Sequence, residues 1–168
     1  IHGNTPSDGL TVTDVAVDGV SVGAGSDRPT AYGMTLLGNS TTVVNSGVTN
    51  VSAPVFAAGI RLGGDDSRSV SGGNVSNVSI ESVETTGGPT ATGIYLVSIG
   101  SSSETVVEDS SVSDVTVSDG TGVAGITLES QFTGAADPNL ALEGNEVTGL
   151  SFEDADGVGL TVNNSAID

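Results

Sequence analysis

The chain has 168 residues, 21 of them acidic against three arginines (Arg28, Arg61, Arg68) and no lysine, for a formal net charge of −18. That length suits one domain with a continuous interior, and the charge leaves no basic patch to replace counterions on phosphates, which excludes nucleic acid as a partner. Cysteine is absent, which excludes disulfides and thiolate metal sites, and no apolar run reaches the roughly 18 residues of a membrane-spanning helix.

In chain order, the first residues carry the single histidine, His2, near a terminus where a general base is not expected. From there two short patterns alternate. The first copy of one is Val12-Thr13-Asp14-Val15-Ala16-Val17, and it returns at Val48-Thr49-Asn50-Val51-Ser52-Ala53, Val75-Ser76-Asn77-Val78-Ser79-Ile80, Val112-Ser113-Asp114-Val115-Thr116-Val117 and Val147-Thr148-Gly149-Leu150-Ser151-Phe152. Its third position is always Asp, Asn or Gly, the residues that tolerate the left-handed conformation. One such residue between two short strands makes a sharp bend, so Asp14, Asn50, Asn77, Asp114 and Gly149 are expected at one shared corner.

Between these copies lies a tetrapeptide: Gly33-Met34-Thr35-Leu36, Gly59-Ile60-Arg61-Leu62, Gly93-Ile94-Tyr95-Leu96, Gly125-Ile126-Thr127-Leu128 and Gly159-Leu160-Thr161-Val162, spaced by 26, 34, 32 and 34 residues. Its second and fourth residues are apolar and its third varies, as a strand with one buried face requires. With three Phe, two Tyr and no Trp, the interior is built from Val, Ala, Leu and Ile.

A β-sandwich has no reason to repeat the same two motifs in the same order, and the leucine spacing of leucine-rich repeats is missing. The alternation instead describes a coil of three strands whose equivalents in successive coils pair in parallel. It resembles the right-handed parallel β-helix of the pectate-lyase-like superfamily over nearly the whole chain. The expectation is an all-β solenoid, one domain over residues 1–168, with about four full coils plus partial coils at both ends. Stacked Asn50 and Asn77 are expected to form a short ladder at the bend. Uncapped sheet edges are normally covered, so flanking coils or capping segments of a larger protein, or self-association such as a trimer, are the expected partners.

Inward positions are committed to packing, which leaves outward positions and loops for function. The tetrapeptide's third positions stack as Thr35, Arg61, Tyr95, Thr127 and Thr161. Arg61 and Tyr95, with Asp65, Asp66 and Arg68 of the following turn, are the one place where both charge signs and an aromatic ring converge. A polysaccharide or cell-surface glycan could stack on Tyr95 and bond to the polar groups. Catalysis is not expected. Asp65 and Asp66 are adjacent acids with no defined separation, and the additional Asp, His and Arg-Lys motifs of the hydrolases that the resemblance implies are absent. No cofactor is expected. Glu153, Asp154 and Asp156 gather oxygen ligands that calcium could use, although so acidic a chain produces such clusters by chance. Of the sequons at Asn39, Asn50, Asn74, Asn77 and Asn163, Asn39 is the best glycosylation candidate.

The lysine-free, acidic composition also resembles haloarchaeal proteins and those of their viruses, because strong salt relieves the self-repulsion. The leading expectation is a non-catalytic structural or adhesive module of an extracellular, cell-surface or virion-surface protein in a hypersaline setting, of tail-fibre or spike type and without membrane insertion. The alternative is a fragment of a carbohydrate-active lyase, hydrolase or epimerase.

Overall fold

A computed structural model describes residues 2–3, 9–27, 29–63, 72–99, 105–118, 120, 122–133, 140–153 and 156–167, with side chains described over 9–27, 29–63, 72–97, 105–118, 120, 122–128 and 141–151. The strands are β1 (His2–Gly3), β2 (Thr11–Thr13), β3 (Ala16–Ser21), β4 (Thr30–Leu36), β5 (Thr41–Val44), β6 (Gly47–Ala53), β7 (Phe56–Gly63), β8 (Gly73–Ser76), β9 (Ser79–Thr85), β10 (Thr90–Ile99), β11 (Thr105–Glu108), β12 (Ser111–Ser118), β13 (Gly122–Thr133), β14 (Leu140–Glu143), β15 (Glu146–Thr148), β16 (Ser151–Glu153) and β17 (Asp156–Ile167). No helix occurs among the described residues.

Every strand pairing is parallel, between equivalents one coil apart. Sheet A runs β1-β4-β7-β10-β13-β17, sheet B β14-β11-β8-β5-β2 and sheet C β15-β12-β9-β6-β3, with β16 also on β12. The chain is a parallel β-solenoid. The coils β4-β5-β6, β7-β8-β9 and β10-β11-β12 are hydrogen-bonded on both sides, which makes about three complete turns, fewer than the four full coils read from the repeat. The end strands β1, β15 and β16, of only two or three residues, extend the sheets without closing further turns.

The tetrapeptide stacks as its sequence implied: Met34 pairs with Ile60, Ile60 with Ile94, Ile94 with Ile126 and Ile126 with Leu160. Met34, Leu36, Ile60, Ile94, Leu96, Ile126 and Leu128 are fully buried, facing Val48, Val51, Ile80, Val83, Val112 and Val115 from sheet C and Val43, Val75 and Val107 from sheet B. The tetrapeptide glycine is buried too, so two successive residues face inward and the strand bends there. A Cβ added to Gly33, Gly59 or Gly93 would collide with Val48, Ile80 or Val112 of the same turn, and would stand 2.6 to 2.7 Å from the carbonyl oxygen of the next glycine in the column.

The left-handed bends, one between sheets B and C and one within the strands of sheet C, correct the sequence reading. All five singled-out residues are left-handed, with φ of 56° at Asp14, 57° at Asn50, 50° at Asn77, 55° at Asp114 and 63° at Gly149. They belong to two corners. The register of β2, β5, β8, β11 and β14 stacks Asp14, Asn45, Asn77, Asp109 and Gly144 in one column. The register of β3, β6, β9, β12 and β15 stacks Gly19, Asn50, Ser82, Asp114 and Gly149 in the other, and every member of both columns has positive φ. The corners lie five residues apart in each coil, and Asp14 and Asn77 at the first share with Asn50 and Asp114 at the second the local sequence apolar-x-(Asp/Asn)-apolar, so matching by motif slides between them.

The expected Asn50–Asn77 ladder is therefore replaced by two separate contacts. Asn77 Nδ2 donates to Asn45 Oδ1 at 2.7 Å, and Asn50 Nδ2 donates to Asp18 Oδ1 at 2.7 Å. Just past the first corner, Ser46 and Ser110 stand where Val15 and Val78 stand in alternate coils. Each serine hydroxyl accepts the valine N–H of the preceding coil at 3.2 Å and donates to a carbonyl two residues back at 2.9 Å.

Two outcomes test this architecture. Gly59→Ala should destabilise by about 2 kcal/mol or more in chemical unfolding, since it overpacks a contact with backbone on one side. Asn77→Ala should cost about 1–2 kcal/mol for the left-handed conformation, whereas Asn77→Gly should cost markedly less because only the side-chain bond is lost.

Candidate functional site

Outward residues of sheet A bring together groups distant in sequence. Tyr95 pairs with Arg61 and Arg61 with Thr35, as the tetrapeptide spacing implied, and Thr127 and Thr161 continue the column. On the other side of Thr35 the register places His2, in strand β1. Across the glycine bend runs a second outward column, Tyr32, Ala58, Thr92 and Ala124, and two residues further back Phe56 lies between Thr30 and Thr90.

Three rings cluster on this face. The Tyr32 and Phe56 centroids are 5.7 Å apart and those of Phe56 and Tyr95 are 6.0 Å apart, the second pair edge to face. The Arg61 guanidinium carbon stands 5.4 Å from the Tyr32 centroid, within cation–π range. Beneath them, Ala58 is fully buried, Thr92 is 1% exposed and Thr35 3% exposed, although strand alternation puts all three on the outer side. The Thr92 hydroxyl donates to the Ile94 carbonyl at 3.3 Å and lies 3.5 Å from the Thr127 hydroxyl, while Thr35 Oγ1 has no hydrogen-bond partner among the described residues. Aromatic rings over a hydroxyl floor, with a planar cation at one side, suit a ligand that has both an apolar face and polar edges.

Tyr32 and Phe56 escaped the sequence reading. The signal was present: the tetrapeptide extends backward as Ala31-Tyr32-Gly33, Ala57-Ala58-Gly59, Ala91-Thr92-Gly93 and Val123-Ala124-Gly125, so Tyr32 holds an outward position fixed by the same repeat. Asp65, Asp66 and Arg68 lie outside the described residues, as does Asp154, while Glu153 ends β16 and Asp156 opens β17 without described side chains. Among the described residues no group of three or more His, Cys, Asp or Glu is placed to hold a metal ion. Asn39 sits in the turn before β5, its carbonyl accepting the Gly9 N–H at 2.9 Å.

A second groove, on sheet C, holds about 330 Å³ and is lined by Asn50, Val51, Ser52, Ser82, Glu84, Asp114 and Thr116. One coil away, the Asp18 carboxylate accepts the Asn50 amide and the Thr49 hydroxyl at 2.7 Å each. These bonds, the amide first, hold the Asp18 carboxyl below its ordinary value of 3.8. Because the folded state favours the ionised form, the associated stabilisation is fully present above the ordinary value and disappears as pH falls through the lower folded one. Carboxyl NMR titration should place the Asp18 midpoint below 3.8. Asn50→Gly, which keeps the left-handed backbone accessible, should move that midpoint upward.

No protein-family model matches the chain, and neither the curated proteins nor the solved structures contain a match.

Proposed function

We propose that this chain is a non-catalytic structural and adhesive module of a larger surface protein or virion appendage working in strong salt, and that the outer face of sheet A is its contact surface for saccharides. One observation carries the reading: Tyr32, Phe56 and Tyr95, three of the chain's five aromatic residues, gather with Arg61 on one face of a rod whose outer surface is otherwise mostly small, hydroxylated or acidic. Aromatic rings at an exposed polar surface supply contact area at low conformational cost. The interior supports a scaffold role, since its described core between Ala31 and Leu128 is built mainly of aliphatic side chains.

The salt requirement follows from the charge of −18. Raising ionic strength from about 0.1 M to about 1 M shortens the Debye length from about 10 Å to about 3 Å, so the melting temperature should climb steeply over that range and level off beyond it. A flat or falling dependence would remove the hypersaline setting.

Glycan-array binding at molar salt tests the adhesive role. Tyr95→Ala and Phe56→Ala should each reduce saccharide binding severalfold, since each removes a ring from the contact face, with the melting temperature little changed. Turnover of a polysaccharide panel by the wild-type chain, or binding indifferent to both substitutions, would refute the proposal.

A further inference from the structure

The described carboxylates are unevenly placed. Asp18, Glu81, Glu84 and Glu146 lie on sheet C, Asp14, Asp109 and Asp114 at the two left-handed corners, Glu108 and Glu143 on sheet B, and Asp27 between β3 and β4. The central strands of sheet A carry none: residues 30–36, 56–63, 90–99 and 122–128, from β4, β7, β10 and β13, contain no Asp or Glu. The first acid along β13, Glu129, stands in the register of Val97, one outward step past Tyr95 and one coil on. In a chain with 21 acidic residues, the rings of Tyr32, Phe56 and Tyr95 thus occupy a stretch of surface whose own strands bring no negative charge. Arg61 stands among them, the one basic residue among the described side chains.

This distribution discriminates between saccharide classes. A carboxylate is an acceptor with room for several hydroxyl donors, so a face that reads an uncharged sugar gains from Asp or Glu beside its rings, and this chain has them in abundance elsewhere. A saccharide that carries negative charge is repelled by those groups and drawn to a guanidinium. Strong salt narrows the choice. With the Debye length at about 3 Å in 1 M salt, only groups in contact attract, so the ligand's charge has to reach Arg61 itself, whose guanidinium carbon is held 5.4 Å from the Tyr32 centroid. A guanidinium is weakly hydrated, and a sulfate monoester spreads one charge over three oxygens. That pair sheds less water than a carboxylate would on entering a surface walled by rings.

We propose that the outer face of sheet A recognises a sulfated saccharide, its sugar ring against Tyr95 and Phe56 and its sulfate ester on the Arg61 guanidinium. The inference rests on the saccharide-contact reading of this face and adds the charge that the ligand carries.

The test compares a dextran sulfate oligosaccharide with dextran of the same length and with oligogalacturonate, each titrated at molar salt into the ¹⁵N-labelled chain. Dextran sulfate should bind about fivefold tighter than dextran or more, the scale of one surface ion pair, with amide shifts centred on Tyr32, Arg61 and Tyr95. Arg61→Gln should erase that preference while keeping the amide spectrum of the folded chain. Arg61→Lys, which retains the charge without the planar fork, should keep part of it. Equal affinity for dextran and dextran sulfate overturns the proposal, as does a preference that survives Arg61→Gln or shifts centred on sheet B or C. Oligogalacturonate bound as tightly as dextran sulfate also overturns it, since the face then reads negative charge without regard to the ester. In each of these cases a sugar response that depends on Tyr95 leaves the saccharide reading of the face standing, whereas no response to any of the three probes removes both.

Discussion

Sheets A and C of the same turn meet where a glycine of one lies beneath a branched side chain of the other: Gly33 against Val48, Gly59 against Ile80 and Gly93 against Val112. Each glycine also faces the carbonyl oxygen of its equivalent in the next coil, so the column has no room for a methyl group. This close approach fixes the thickness of the rod, and the thickness decides which side chains can fill it. Val, Ile, Leu, Ala and Met fill the interior among the residues with described side chains, and Tyr32, Phe56 and Tyr95 are left on the outer face of sheet A.

The same bend creates that outer face. Two consecutive inward residues, glycine and the apolar residue after it, set the outward columns of Tyr32 and Thr35 on either side of the bend. Coil-to-coil register then adds Phe56 and Arg61 from the next strand and Tyr95 from the one beyond. The aromatic face thus follows from packing inside the rod, and none of its members is a neighbour of another in sequence.

The left-handed corners show a different economy. Asp, Asn, Ser and Gly occupy both columns, and the backbone ladder continues through the first, with Asp14, Asn45, Asn77 and Asp109 each donating to a carbonyl of the adjacent coil at 2.9 to 3.2 Å. Because the ladder is unbroken, corner side chains are free to bond to one another or to outward neighbours, as Asn77 does with Asn45 and Asn50 with Asp18. Length variation is placed elsewhere. The segment between sheets A and B spans 37–40 in one coil and 64–72 in the next, and that from sheet C back to A spans 54–55 and then 86–89. Those differences account for most of the change in glycine spacing from 26 to 34 residues.

From sequence alone came the repeat, the parallel solenoid, the inward and outward sense of the tetrapeptide, the Arg61–Tyr95 adjacency and the left-handed conformation at all five residues singled out for it. Each depends on residue type at a fixed offset, which a strand's alternation or a positive φ dictates locally. Which corner a left-handed residue occupies could not be read, because two bends five residues apart carry the same local pattern and only hydrogen-bond register separates Asp14 and Asn77 from Asn50, Asp114 and Gly149. The number of enclosed turns, the ring cluster of Tyr32, Phe56 and Tyr95, and the gathering of described carboxylates away from that cluster were likewise decided by the tertiary structure. They arise from contacts between coils about thirty residues apart, where distance in space no longer follows distance along the chain.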